Sequence, residues 1–195
     1  MSCATPPRAI LPSPSLDYAA HQKRLADLKH WKLKGKIGFK SAQDTLSATI
    51  HWQQQDQHYR IRLTSVLGST LMEMKGHNGF AELHVDDNHY FDDDAEQLLE
   101  RVTGWQLPVN QLASLIKGQI PDDDFEVLES EPNWPTAVRG SSLSSWKIRY
   151  DQYRETQYRE THLGSAPPVW LPYELRLTKA KNLIKIRVTS WEIHE

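Results

Sequence analysis

The residues with the most evident chemical potential are the carboxylates and imidazoles between positions 84 and 94. This stretch holds His84, Asp86, Asp87 and His89, followed by three aspartates, 92–94. Carboxylates are ligands for hard cations and imidazole is a ligand for zinc, so the residue types suit a metal site. Their spacing fits neither an EF-hand loop nor a His-Glu-x-x-His helix. Asp86-Asp87 is typical of a turn, and aspartates before a helix cap it, so we predict no metal ligand here.

Other motifs for catalysis or nucleotide binding are missing from the sequence. It has no Gly-x-Ser-x-Gly elbow, no Gly-x-x-x-x-Gly-Lys phosphate loop and no Gly-x-Gly-x-x-Gly fingerprint. The 23 basic and 25 acidic residues give a formal net charge of -2, without the basic excess that duplex DNA needs. We therefore predict a binding protein that is not an enzyme and uses neither a cofactor nor nucleic acid. An enzyme built on the acidic and histidine cluster ranks last.

Apolar residues are the remaining candidates for function. They make up 38% of the 195 residues and include seven tryptophans, which line cores, interfaces and ligand pockets. The length fits a single domain, and no apolar run reaches the roughly 18 residues of a transmembrane helix.

The first 15 residues differ in composition from the rest. Four prolines lie between positions 5 and 15, which is typical of a flexible tether rather than a folded element. The single cysteine, Cys3, begins this tether and cannot form an internal disulfide. It is either an inert terminal thiol or a lipid attachment site. No apolar signal segment precedes it, so we expect a mature form, with a tether at 1–15 and a binding domain at 16–195.

The elements that must position the apolar residues follow from periodicity. Ser15 is the expected N-cap of a helix that carries Tyr18, Leu25 and Leu28 on one face and ends near His30. The period then changes to two, which indicates half-buried strands, with a hairpin turn at Asn78-Gly79. Strands are predicted at 31–40, 45–52, 59–64, 70–75, 80–85, 125–128, 146–150, 172–178 and 183–193, and short helices at 92–102 and 110–117.

This order predicts a mainly β domain with some helix: a single curved antiparallel sheet with one polar and one apolar face. The apolar face must be covered, and the helices are the only candidates. A curved sheet under a helical cover leaves a hollow in which a ligand could bind.

The segment Ser65 to Ser69 lies between two strands and contains Val66, Leu67 and Gly68. Loops are normally polar because their backbone faces water. Periodicity favours a strand that simply continues, whereas the alternative is a protruding apolar tip that contacts a membrane or a ligand.

Several short motifs together resemble the LolB family of outer-membrane lipoprotein receptors. The match extends from His21 to the C-terminus, and the order and spacing of the motifs carry it. They are Trp52-Gln53-Gln54, Tyr59-Arg60, Leu67-Gly68-Ser69-Thr70, Asp93-Asp94-Ala95-Glu96, Val102-Thr103-Gly104, Leu107-Pro108-Val109-Asn110, Trp146-Lys147-Ile148, Ile184-Lys185-Ile186 and Trp191.

The resemblance implies an incomplete β-barrel, closed by a helical lid over an apolar cavity. It implies that Cys3 is lipidated and anchors a monomer to the outer membrane of a Gram-negative bacterium, facing the periplasm. The partners implied are the periplasmic carrier LolA, lipoprotein acyl chains and outer-membrane lipid. Val66, Leu67 and Gly68 become the membrane-insertion loop, with Leu67 as the protruding leucine; family members often have proline at the position of Val66.

The same resemblance suggests which apolar residues face the acyl chains, although periodicity does not separate core from cavity. A lipocalin-like carrier of a small apolar ligand is the alternative function. The cavity candidates are Ile37, Ile50, Trp52, Ile61, Leu71, Leu98, Leu99, Leu112, Leu115, Trp146 and Ile148.

Overall fold

A computed structural model describes residues 17–42, 44–77, 79–120, 125–131, 134–140, 146–159 and 168–194. Eleven antiparallel strands form one sheet, in the order β6-β5-β4-β3-β2-β1-β11-β10-β9-β8-β7, whose two edge strands do not pair with each other. The elements are α1 (Tyr18–Asp27), β1 (His30–Lys40), β2 (Thr45–Gln55), β3 (His58–Thr64), β4 (Thr70–His77), β5 (Phe80–Val85), β6 (Asn88–Asp92), α2 (Ala95–Thr103), α3 (Val109–Leu115), β7 (Phe125–Glu131), β8 (Trp134–Gly140), β9 (Lys147–Thr156), β10 (Val169–Lys179) and β11 (Asn182–His194).

This architecture confirms the predicted fold class, a mainly β domain with a single unclosed antiparallel sheet and a few helices. The sheet has two unlike faces because its strands alternate. In β1, the side chains of Trp31, Leu33, Ile37 and Phe39 are buried, whereas the intervening lysines are exposed. The buried face is the inner one, and the helices lie against it.

The β5–β6 hairpin was missed by the sequence prediction. Asp86 and Asp87 both have positive φ, 48° and 62°, as the two central residues of a type I′ turn require. Such a turn returns the chain at once, so residues 88–92 pair with β5 instead of leading directly into the helix. Asparagine or glycine is usual there, but aspartate also tolerates the left-handed region.

Strand β8 was also missed, because it does not alternate. All its described side chains except Arg139 are buried, and Pro135 weakens the strand pattern. One reason for burial is that helix α1 packs beside it. Tyr18 meets the ring of Trp134 edge-on, with ring centroids 5.4 Å apart, and His21 lies 4.8 Å from the same ring.

The caps of α1 differ from the prediction. The N-cap is Asp17, whose carboxylate accepts hydrogen bonds from the backbone N–H groups of Ala19 and Ala20 at 3.0 and 3.2 Å. Ser15, the predicted cap, lies outside the described residues. The helix ends at Asp27, short of the predicted His30, because His30 already pairs with β2 and β11.

Helix α2 begins after one of the aspartates expected to cap a helix, and a glycine follows both α2 and α3. Asp94 caps α2 by accepting from the N–H groups of Glu96 and Gln97, and Gly104 ends it with a positive φ of 74°. Helix α3 begins at Val109, directly after Pro108, and Gly118 follows its last turn with a φ of 77°.

None of the described helices is both long enough and apolar enough to cross a membrane.

Candidate functional site

An apolar cavity lies between the sheet and the α2–α3 region. Its volume is about 40 Å³, and every residue that lines it is apolar. Strands β1 to β4, β10 and β11 form the floor, and α2, the α2–α3 linker and α3 form the cover. The lining residues are Ile37, Phe39, Leu46, Ile50, Trp52, Ile61, Leu63, Met72, Met74, Leu99, Trp105, Leu107, Val109, Leu112, Leu177, Ile184 and Ile186.

Six of the eleven cavity candidates from the sequence lie on this lining: Ile37, Ile50, Trp52, Ile61, Leu99 and Leu112. Leu98, Leu115, Trp146 and Ile148 are buried in the core instead, each at most 1% exposed. Leu71 is half-buried and packs against the core, while its neighbours Met72 and Met74 reach the cavity. The β4 register therefore places the methionines inward.

The other half of the inner face differs in composition from the half that lines the cavity. Large aromatic side chains occupy it: Trp134, Trp146, Tyr150 and Tyr153 are each at most 3% exposed. The Tyr150 hydroxyl donates to the carbonyl oxygen of Leu115 at 3.0 Å, which fixes the end of α3 over this half. Burial raises the pKa of Tyr150 and of Tyr153 well above the ordinary value, so both phenols stay neutral.

The cover is attached to the rest of the fold at the α3 end and, through the ion pair of Arg101 in α2 with Asp92 in β6, at the other end. Buried Lys117, just after α3, donates to the carbonyl oxygens of Leu25 and Leu28 at 2.6 and 3.0 Å, and so also satisfies the C-terminus of α1. Gln22 bonds Gly118 and Ile120 on the same side. In the described residues, the side-chain hydrogen bonds of the 104–108 linker are made with helix α2. The Trp105 N–H donates to the Thr103 hydroxyl, and the Gln106 side chain donates to the Glu100 carboxylate.

The Val66-Leu67 loop is an exposed tip and not a continuing strand. Val66 is 84% exposed and Leu67 is 94% exposed, the two most exposed large apolar side chains among the described residues. The base of the loop is closed: Ser65 N–H donates to Ser69 O at 2.8 Å, and Gly68 N–H donates to Ser65 O at 3.0 Å. Gly68 has a φ of 90°, a backbone conformation that favours glycine. The backbone of this turn therefore leaves the side chains of Val66 and Leu67 exposed to water.

The acidic and histidine stretch forms no group of metal-ligating side chains in the described part of the chain. His84 and His89 stack across β5 and β6 with ring centroids 4.3 Å apart, and His89 contacts Glu82 at 2.8 Å. Asp92 pairs with Arg101, and Asp94 caps α2. The turn and cap roles account for these residues.

Solved structures of other proteins share this architecture. A LolA superfamily protein from Nitrosomonas europaea superimposes with a TM-score of 0.51 over 93% of this chain and 95% of its own, at 10% identity. An outer-membrane lipoprotein-sorting domain from Vibrio parahaemolyticus gives a TM-score of 0.56 over 90% of each chain, at 9% identity. At such identities the likeness concerns the fold alone, and it defines the class as proteins with this unclosed, helix-covered antiparallel sheet.

Within that class, the chain belongs to the LolB family. The family model described as outer membrane lipoprotein LolB matches residues 29–191. The outer-membrane lipoprotein LolB of Pseudoalteromonas translucida (strain TAC 125) is 32% identical over 91% of this chain and 83% of its own length. That of Shewanella sp. (strain MR-4) is 30% identical over 97% and 82%. The family comprises lipoprotein-localisation receptors and not enzymes, which confirms the predicted non-enzymatic class.

Proposed function

We propose that this domain accepts lipoproteins from the periplasmic carrier LolA, holds their acyl chains in the apolar cavity and inserts them into the outer membrane. The observation that carries the proposal is the pairing of two apolar features on one sheet: a hollow with no polar lining and a loop tip that exposes Leu67 to water. Membership of the LolB family supports the wider role in outer-membrane lipoprotein localisation.

Physical chemistry explains why such a protein needs no nucleotide. Each buried methylene contributes about 0.8 kcal/mol, so a lipoprotein with several acyl chains does not leave a membrane or a carrier unless another apolar site receives it. Transfer from carrier to acceptor then follows from a difference in affinity, because a ligand shifts an equilibrium only by its differential affinity.

The tether and the loop complete the proposal. Cys3 lies outside the described residues; as a lipidated residue at the start of the 1–15 tether it would keep the domain, residues 16–195, at the outer membrane. Val66, Leu67 and Gly68 are proposed as the membrane-insertion loop, because exposed apolar side chains at a loop apex mark a contact with an apolar partner.

The direct test is to load a labelled lipoprotein on LolA, add this protein without its lipid anchor and measure the label that moves. We expect transfer in the absence of nucleotide. No transfer would overturn the proposal, and tight binding of a small apolar metabolite instead would favour the lipocalin-like alternative.

The first prediction separates acceptance from insertion. Leu67→Glu should still take lipoprotein from LolA, because the side chain is 94% exposed and does not line the cavity, but it should deliver little to vesicles, because a carboxylate resists burial in lipid. Leu67→Met is the matched control, since it keeps an apolar side chain of similar size. Loss of acceptance in Leu67→Glu would assign Leu67 to the binding step instead.

A further inference from the structure

Cations on the outer face of the sheet are paired with carboxylates in most places. Arg60, Arg62 and Lys75 surround Glu73, Arg149 and Lys147 bond Glu129, Arg176 bonds Asp151, and Arg187 bonds Glu174. The pattern breaks at β1 and the start of β11. Lys36, Lys40 and Lys185 are exposed and form no ion pair with any residue in the described ranges.

These three lysines are neighbours of Gly38, which has no side chain. Lys36 and Lys40 lie two residues to either side of Gly38 on β1, and Lys185 is its direct partner on β11. On the other side Gly38 pairs with Ser47 of β2, which is also exposed. The lining residues Ile37, Phe39, Leu46 and Ile184 alternate with them and face inward, so all five positions share the outer face.

The fold does not require glycine at this position. A Cβ on Gly38 would meet only the carbonyl oxygen of Leu46 at 4.0 Å, and its φ is not positive. The result is a patch of open backbone whose neighbours in the sheet are three lysines and one serine, which we call the Gly38 seat; the Lys36 ammonium donates to Thr49 Oγ1 at 2.7 Å. Lysines often protect sheet edges from aggregation, but β1 is the sixth of eleven strands and has no free edge.

The Gly38 seat lies at the same end of the sheet as the apolar tip. Lys36 pairs with Thr49, and Thr49 pairs with Thr64, the residue before the loop that carries Leu67. Lys40 lies about 13 Å further along β1 from Lys36, at strand spacing. The seat and Leu67 are therefore two strands apart, and a surface that meets the sheet obliquely at this end contacts both.

We propose that the Gly38 seat binds the phosphate of an anionic phospholipid headgroup when the Leu67 tip enters the membrane. The inference rests on the proposed function, because it assumes that the tip meets lipid. Ammonium and hydroxyl groups are donors to phosphate, and a phosphate placed between them relieves the repulsion among the three lysines. The chain provides no such opening at Gly35, where the backbone of β11 closes the space.

A lipid surface suits the seat better than a free phosphate or an acidic protein. The lysines are exposed, and exposed charge pairs are weak one at a time, so a lone ion is held poorly. A membrane presents many headgroups at once and holds them beside the apolar tip, so both contacts form together. The only acidic side chain in the described part of the adjacent β1–β2 loop, Asp44, forms no ion pair with Lys40.

The test measures binding of the full chain to vesicles of phosphatidylethanolamine with increasing phosphatidylglycerol. We expect the partition coefficient to rise with phosphatidylglycerol and to fall with sodium chloride. The triple variant Lys36→Gln, Lys40→Gln, Lys185→Gln should bind about fivefold more weakly per lysine removed. The matched control, Lys23→Gln, Lys29→Gln, Lys32→Gln, removes equal charge away from the seat and should retain most of the binding. Equal losses in the two triple variants would overturn the proposal.

Gly38→Gln tests the seat without a change of charge. A glutamine side chain covers the open backbone, so binding to anionic vesicles should fall severalfold while binding to neutral vesicles stays the same. A different result would assign the seat to an acidic protein surface instead. In that case Gly38→Gln and the lysine triple variant would bind vesicles as the wild type does, but would no longer take lipoprotein from LolA. Displacement of the protein from vesicles by millimolar inorganic phosphate would indicate a free-anion site. Transfer from LolA is measured separately, so failure of the proposed function is distinguishable from failure of the seat.

Discussion

Two glycines of the same strand show how differently one residue type acts. A Cβ on Gly35 would lie 2.5 Å from the backbone oxygen of Arg187 and 3.1 Å from Val188 Cα. Gly35 is also where the β1–β11 register shifts, so the two backbones approach closely at this β-bulge. Neither contact is with a flexible side chain, which leaves the strands themselves to move apart.

We therefore predict that Gly35→Ala lowers the free energy of unfolding by about 1–3 kcal/mol, the cost typical of overpacking. Gly38→Ala, the control on the same strand, should change it by less than about 0.5 kcal/mol or raise it slightly. Urea denaturation of both variants measures the difference. A Gly35→Ala protein as stable as the wild type would mean that the bulge accommodates a side chain.

At the scale of the elements, helix α1 is attached to the sheet through a buried histidine. His21 is fully buried, its Nε2 lies 3.0 Å from the carbonyl oxygen of Trp170, and its ring packs on Trp134. Burial and the nearby charge of Arg24 lower the pKa of His21 from 6.5 to about 4, although the hydrogen bond with Trp170 opposes this. The imidazole is thus neutral in the folded state at neutral pH.

Stability should consequently fall as the solution becomes acidic. Below about pH 6.5 the unfolded chain binds a proton at His21, whereas the folded chain does not until about pH 4. Across that window the free energy of unfolding should decrease by up to about 1.4 kcal/mol per pH unit from this group. Urea denaturation at pH 7, 6 and 5 should show a shallower decline for His21→Gln than for the wild type. Parallel declines would remove His21 as the cause.

The sequence predicted most accurately the strands that have one solvent-exposed face and one buried face. Strands β1 to β5, β10 and β11 alternate between apolar and polar residues, so period two locates them within a few residues. Strand β8 is buried on both faces and has no period to detect, and β6 is five residues long and mostly exposed. Their places depend on packing against α1 and on the Asp86-Asp87 turn, which are tertiary and backbone properties.

The same limit applies to the site. Alternation indicates that Ile37, Ile50 and Ile61 face inward, but not whether an inward residue meets a cavity or a filled core. That depends on which residues lie opposite. The α2 helix and the linker cover β1 to β4, whereas Trp134, Tyr150 and Tyr153 pack against one another in the other half. Periodicity alone was also insufficient for the Val66-Leu67 loop. It favoured a strand, whereas the family resemblance favoured the exposed loop that the structure contains.

At the scale of the whole molecule, the cavity is too small for its proposed ligand. Its 40 Å³ is well below the roughly 150 Å³ of a cavity that binds benzene. An acyl chain therefore enters only if the cover moves away from the sheet. The α3 end is held by Lys117, Gln22 and Tyr150, whereas the 104–108 linker touches the sheet mainly through the packing of Trp105 on Phe39, with ring centroids 5.1 Å apart.

We predict that loading opens the cover from the linker side. On binding a synthetic triacylated lipopeptide, backbone amides of α2 and residues 104–107 should exchange with solvent hydrogen faster, because their apolar contacts with the sheet are replaced by acyl chains. Amides of β1 to β3 should stay protected, and those at the end of α3 should change little. The same peptide without acyl chains is the control and should alter nothing. If a saturating amount of lipopeptide binds and leaves exchange in α2 and the linker unchanged, the acyl chains lie outside this cavity, and the Leu67 end of the sheet becomes the place to look for them.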